Sequence, residues 1–269
     1  MSESKKETEW RDIWQEIIET SRKVLRNKLE ISEGFKALNE KYPADKMLVF
    51  EKGIAAECLT KKEIAIDFYT QAADDTNGLP VSHWKKRAKY FLDRIITRGC
   101  SVTTDLNPND TLFEIQWNTY FNIHSFANID EYLCYLAISS VSRSHSEPAM
   151  AAVIFRTCLE IGLWSYYESD VNKINQDWKR QNMKDRKYKD IGLDDLLREL
   201  KNRKVIKTTE YEVFDKIRYE GNLAAHPKII IKNKKPFKYT DPEIVEILFA
   251  FNKTMQILND QAEKKVSLR

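Results

Sequence analysis

Three polar side chains that can bind or transfer protons recur four residues apart in IRYEGNLAAHP (217–227): Arg218, Asn222 and His226. Residues four apart on an α-helix lie nearly above one another, so these three are predicted to form one polar stripe. Pro227 disfavours helical geometry at His226 and so places the imidazole at the C-terminus of the helix. The helix macrodipole favours a protonated imidazole there, which makes His226 a candidate general acid near neutral pH.

A glycine lies inside the same predicted helix, where it costs about 1 kcal/mol relative to alanine. We therefore expect a close approach to Gly221 by another helix or by a ligand backbone. A purely structural role for the stripe is the alternative: His226 caps the helix end and Arg218 pairs with a buried Glu. Arg156 and Glu160, four apart in FRTCLE (155–160), can supply that partner. A buried network of this kind would fix the register of two helices.

The elements that must position the stripe have clear boundary signals in the second half of the chain. The predicted starts are Asp110 before Thr111, Ser146 with Pro148 in the first turn, Thr208 or Thr209, and Asp241 before Pro242. With helices in 129–142 and 193–206, this gives about five helices in an up-and-down bundle. Short loops join them, except for the basic connection 171–190. KIIIKNKK (228–235) is predicted to form a short extended arm or hairpin.

The first half of the chain resembles the tetratricopeptide (TPR) pattern at four positions: Gly53, Ala65, Tyr69 and Ala72. In that pattern a small residue lets two helices pack closely, and an aromatic residue fills the seam. One repeat and one degenerate earlier repeat are expected, with 83–95 as a capping helix. A generic helical bundle without a peptide-binding groove is the alternative.

Composition and local sequence set the domain boundaries and the class of protein. The chain has only seven Gly and seven Pro in 269 residues, and 32% of its residues are charged, which favours an all-α fold. Loop-forming residues in 99–110 predict a linker over 100–110, between a TPR-like domain (1–99) and a helical domain (111–269).

The apolar runs and the cysteines exclude several classes of protein. No run approaches the roughly 20 residues of a membrane-spanning helix, and the N-terminus lacks the apolar core of a signal peptide, so a cytoplasmic protein without a membrane partner is expected. The four cysteines are isolated from one another and from His at ligand spacing. They predict buried thiols rather than a metal site or disulfides, and no cofactor is expected.

Two motifs resemble the HEPN superfamily (higher eukaryotes and prokaryotes nucleotide-binding). AAVIFRTCLEIGL (151–163) and FDKIRYEGNLAAHP (214–227) match the bacterial branch of unknown function marked by R-x-x-L-E in one helix and I-R-x-x-G-N-x-A-A-H in a later one. The resemblance covers roughly 130–265. It implies an all-α bundle that dimerises and, in active members, cuts RNA without a metal, using an Arg and a His at the dimer seam. Seven residues separate Arg218 from His226, more than in those members, so Asn222 and His226 are the closer equivalent.

The resemblance also implies roles for individual residues. His226 would transfer a proton to or from the ribose, Arg218 would stabilise charge on the phosphate, and Asn222 would hold the phosphate or the imidazole. Arg156 and Glu160 would orient these groups. Candidate RNA-binding residues are a possible stacking partner and four lysines, namely Tyr219, Lys228, Lys232, Lys234 and Lys235.

Two functions are compatible with the sequence. The first is an RNA-directed HEPN-like effector, potentially a metal-independent endoribonuclease and toxin, in a bacterial stress or phage-defence system. The second is a non-catalytic HEPN/TPR-like scaffold that binds a protein or a nucleotide. In both, the N-terminal helices are expected to bind a protein partner, and the HEPN-like domain is expected to form a homodimer.

Overall fold

A computed structural model describes residues 3–43, 45–74, 82–100, 103–182, 191–225 and 239–267. Within these ranges the chain folds into thirteen helices and no strand, which confirms the predicted all-α class. The helices gather into two compact units, Met1–Asp105 and Leu106–Arg269. The division falls inside the segment 100–110 that was predicted as a linker. No helix in the described ranges combines the length and apolarity that crossing a bilayer requires.

The first unit contains six helices. They are α1 (Glu3–Asn27), α2 (Ile31–Gly34), α3 (Lys36–Lys41), α4 (Lys46–Cys58), α5 (Lys62–Ala73) and α6 (Ser82–Arg98). Helices α4 and α5, which carry the four TPR-like positions, form a helical hairpin, and α6 packs on α5. A Cβ atom at Gly53 would lie 2.5 Å from Cε1 of Tyr69, so the glycine admits the tyrosine ring. This close packing agrees with the expected seam, while the TPR arrangement itself stays a prediction.

A charged cluster is sealed inside the first unit. Glu57 is fully buried and forms an ion pair with Arg94, which is 5% exposed. The hydroxyl of Tyr69 donates to the same carboxylate at 2.8 Å, and Nη1 of Arg94 donates to Oγ1 of Thr104 at 2.6 Å. These bonds compensate the burial of a carboxylate, which would otherwise be strongly unfavourable.

The second unit contains seven described helices rather than about five. They are α7 (Leu112–Ser125), α8 (Glu131–Arg143), α9 (Pro148–Tyr166), α10 (Glu168–Asn182), α11 (Leu193–Asn202), α12 (Thr208–Ala225) and α13 (Asp241–Ser267). The expectation of a basic connection over 171–190 was wrong for its first part, which is helical in α10. Val171 and Ile174, one turn apart, are buried and anchor that helix, whereas its charges occupy the other side.

Three of the predicted helix starts hold closely, and one is corrected. Helix α9 begins at Pro148 with Glu147 rather than Ser146 before it, α12 begins at Thr208, and α13 begins at Asp241. Thr111, not Asp110, caps α7, because its side chain and that of Glu114 satisfy each other's backbone N–H groups in a capping box.

Helix α9 runs through the middle of the second unit and packs against α8, α12 and α13. Phe155 of α9 stacks on Phe251 of α13 with ring centroids 3.9 Å apart. Gly162 of α9 lets Leu258 approach, since a Cβ there would lie 2.4 Å from a methyl carbon of the leucine. These contacts fix α9 in place, and α9 in turn positions the face of α12 that carries the candidate site.

Candidate functional site

Helices α9 and α12 cross very closely at Gly221. A Cβ atom on this residue would lie 2.4 Å from Cβ of Arg156 and 2.9 Å from the carbonyl oxygen of Ala152. The expected close approach is therefore confirmed, and the approaching element is a helix. The apolar residues Phe214, Ile217 and Tyr211, at helical spacing in the sequence, predict the core-facing side of α12; Phe214 and Ile217 are buried there, whereas Tyr211 is only half-buried.

The side chain of Arg156 lies across this crossing, with its Cδ 3.0 Å from the Cβ position of Gly221. Its Nε is sealed from solvent and has no hydrogen-bond partner among the described residues. Nη2 of Arg156 lies 3.9 Å from Oε2 of Glu160, whose side chain is 44% exposed. An exposed pair at this distance contributes little to stability. The Arg156–Glu160 pair predicted from the sequence is present, but it is not buried.

Arg218 pairs with two aspartates that the sequence reasoning did not single out. Its Nε donates to Oδ1 of Asp215 at 2.7 Å and lies 3.5 Å from Oδ1 of Asp194, at the start of α11. The Arg218 side chain is 17% exposed. Pairing with a buried Glu was therefore the wrong expectation. The i,i+3 spacing of Asp215 and Arg218 in the sequence could have predicted their ion pair. The pair with Asp194 could not be predicted, because it depends on the packing of α11 against α12.

The rest of the stripe within the described ranges is a single residue. Asn222 is half-buried, and its side chain makes no hydrogen bond with the described residues. Tyr219, the candidate stacking residue, is 56% exposed. No hydrogen bond or ion pair joins Asn222 or Arg218 to Glu160 within these ranges. The structure thus unites Gly221 with Arg156 and Arg218 with two aspartates, but it does not show the single buried network that the structural alternative required.

His226 and the lysines Lys228, Lys232, Lys234 and Lys235 lie outside the described residues, as does the predicted extended piece 228–235. Beyond them, the hydroxyl of Tyr239 donates to the carbonyl oxygen of Glu220 at 3.2 Å and to its Oε2 at 3.3 Å. Burial raises the pKa of Glu220, partly offset by the bond from Tyr239. Nζ of Lys216 also reaches Oε2 of Glu246 at 2.6 Å, so α12 and the start of α13 are joined at two points.

The described residues contain no group of three or more His, Cys, Asp or Glu side chains placed to hold a metal ion. All four cysteines are free thiols; Cys134 and Cys158 are buried, and Cys58 and Cys100 are half-buried. The chemistry available on this part of α12 is therefore that of a guanidinium, an amide and an exposed phenol. The guanidinium and the amide can donate hydrogen bonds to an anion, and the phenol ring can stack on a base.

Comparison with known proteins adds no relative. No protein-family model, curated protein or solved structure matches the chain. The HEPN-like and TPR-like features accordingly rest on the motifs described above.

Proposed function

We propose that the second unit is a HEPN-like, RNA-directed effector that cleaves RNA without a metal at the stripe on α12, as part of a bacterial stress or phage-defence system. The proposal rests on the hydrogen-bond donors of Arg218 and Asn222. Nη1 and Nη2 of Arg218 and the amide of Asn222 donate no hydrogen bond to the described residues, and none of these atoms is sealed from solvent. They are available to a phosphate, and in the sequence they lie eight and four residues before His226.

The reaction follows from these groups. His226 takes the proton of the ribose 2′-hydroxyl or, as an imidazolium, gives one to the 5′-oxygen; the 2′-oxygen attacks phosphorus, and the bond to the 5′-oxygen breaks. The products are a cyclic phosphate and a 5′-hydroxyl, which takes up a proton from the imidazolium or from water. Arg218 and Asn222 hold the phosphate while charge builds on its oxygens, and Arg156 with Glu160 supports the helix crossing beneath them. Tyr219 and the four lysines contact the bases and backbone of single-stranded RNA.

Incubation of the purified chain with labelled tRNA and mRNA in EDTA tests the proposal. Wild type is expected to cleave in the presence of the chelator, and His226→Ala is expected to lose on the order of 10²-fold or more of the rate. Asn39→Ala, a polar-to-Ala change on the first unit, serves as the matched control and should cleave like wild type. Absence of cleavage by wild type, alone and with the protein encoded by a neighbouring gene, would refute the nuclease.

A second function is favoured by a specific observation. The aspartate pairing of Arg218 and the tight crossing at Gly221 are also what a helix-packing motif needs, in which case the chain is a non-catalytic scaffold. The two functions differ in the role of Asn222, whose side chain makes no hydrogen bond to the described residues of the kind that a scaffold would require. Asn222→Ala should lower RNA cleavage or binding if the effector is correct, and it should change neither binding nor stability in a scaffold.

The partners belong to the same proposal. The first unit binds a protein partner, and two copies of the chain associate through their HEPN-like units. Pull-down with the full chain and light scattering after size exclusion are the respective measurements. A protein that stays monomeric across the micromolar range would refute the association of two copies.

A further inference from the structure

The guanidinium of Arg218 is fixed along one edge and open along the other. Its Nε meets Asp215 at 2.7 Å and Asp194 at 3.5 Å. Neither Nη1 nor Nη2 donates to any described residue, and neither is sealed from solvent. A guanidinium is planar, so holding Nε also determines where the two Nη groups point.

The two aspartates come from different elements. Asp215 precedes Arg218 by one turn on α12, whereas Asp194 lies in the first turn of α11, which packs against α12. The direction of the guanidinium therefore depends on a local i,i+3 hydrogen bond and on an ion pair with the neighbouring helix α11. This is how a binding group is usually preorganised, by supporting contacts on rigid elements.

We infer that Asp215 and Asp194 are positioning residues for Arg218, which hold its Nε so that both Nη groups face one phosphodiester of the RNA. The inference rests on the proposed function, since it assigns a role at that same site. Arginine binds phosphate through two parallel N–H···O bonds, and an arginine that is already oriented loses less side-chain freedom on binding.

The charge of the aspartates has an opposite effect, because a carboxylate near the site repels phosphate. Two neutral substitutions separate the two effects. Asp215→Asn keeps an oxygen that can accept from Nε, whereas Asp215→Ala removes it. Both remove the charge. The ratio of their affinities for RNA therefore measures positioning alone, and Asp215→Ala is expected to bind about fivefold more weakly than Asp215→Asn, equivalent to about 1 kcal/mol.

The probe is a fluorescein-labelled 2′-O-methyl oligouridine, which cannot be cleaved through its 2′-position, and the readout is fluorescence anisotropy with the full chain. The fivefold ratio of affinities should disappear when Asp215→Ala and Asp215→Asn are each combined with Arg218→Ala, because residue 215 then has no guanidinium to orient. Equal affinities of Asp215→Ala and Asp215→Asn would overturn the inference. A ratio that persists without Arg218 would overturn it as well.

Failure of the proposed function gives a different result. If wild type does not bind the oligouridine, or binds it as tightly as Arg218→Ala does, the RNA-directed function is refuted and the inference with it. Thermal unfolding of each variant shows that it is folded. Should Asp215→Ala not fold, Asp215→Ser, whose hydroxyl is one bond shorter and does not reach Nε of Arg218, takes its place in the comparison with Asp215→Asn, with the same outcomes for and against.

Discussion

Replacement of Gly221 by alanine tests whether the α9–α12 crossing sets the stability of the second unit. The new Cβ would lie 2.4 Å from Cβ of Arg156 and 2.9 Å from the carbonyl oxygen of Ala152. One of these atoms is a Cβ and the other is a backbone oxygen, so no side-chain rotation relieves the overlap. The helices must separate by about 1 Å to restore an ordinary contact, and overpacking of this kind costs about 1–3 kcal/mol.

The same substitution also has a favourable effect. Alanine in a helix interior is better than glycine by about 1 kcal/mol. Because the overlap at Gly221 is severe, the upper part of the overpacking range applies, and Gly221→Ala is expected to destabilise the unit by about 2 kcal/mol. For a unit of this size that corresponds to a decrease in Tm of roughly 6 °C. Without the overlap, Gly221→Ala would stabilise the unit rather than destabilise it.

Circular dichroism at 222 nm during thermal and urea unfolding measures the effect. Gly162→Ala is the matched control, since the three atoms nearest to its Cβ all belong to the side chain of Leu258, which can rotate, and its loss of stability should be smaller. An unchanged or higher stability of Gly221→Ala would refute the reasoning, because the gain in helix propensity would then be the larger effect.

Three further outcomes are expected. Tyr69→Phe removes the 2.8 Å bond to the buried carboxylate of Glu57 and should destabilise the first unit by about 1–2 kcal/mol in urea unfolding, whereas an unchanged midpoint would show that the bond contributes nothing. Burial raises the pKa of Glu220 above 4.5, so the stability of wild type falls as pH rises from 4.5 through that raised value. Glu220→Gln should therefore have a higher Tm than wild type at pH 7 and an equal one below pH 4.5; the opposite trend would contradict this sign. Burial also raises the pKa of the Cys158 thiol, so iodoacetamide should label it only after unfolding, and labelling of the folded chain at the rate of a free thiol would count against the described core.

The parts of the fold that depend on local chemistry could be predicted from the sequence. Pro148 and Thr208 mark helix starts because a missing N–H and a favourable first turn act within a few residues. Gly221 and Gly53 indicated close packing because a glycine inside a helix needs compensation. In each case the structure supplies the close neighbour.

The parts that depend on tertiary packing could not be predicted. The sequence suggested Glu160 as the ion-pair partner of Arg218. In the structure Arg218 pairs instead with Asp215 and with Asp194, which lies close because α11 packs against α12. Helix α10 was overlooked for a different reason. Its basic residues dominate the composition of the segment, whereas the two buried residues that specify the helix, Val171 and Ile174, are few. The general acid–base role of His226 stays a prediction.

The contact between Tyr239 and Glu220 closes a loop between two residues that are 19 positions apart in the chain. The entropic cost of closing such a loop grows only with the logarithm of its length. The bonds from the Tyr239 hydroxyl and the ion pair between Lys216 and Glu246 oppose that cost. The start of α13 is therefore held beside α12 by polar side chains as well as by the packing of the two helices.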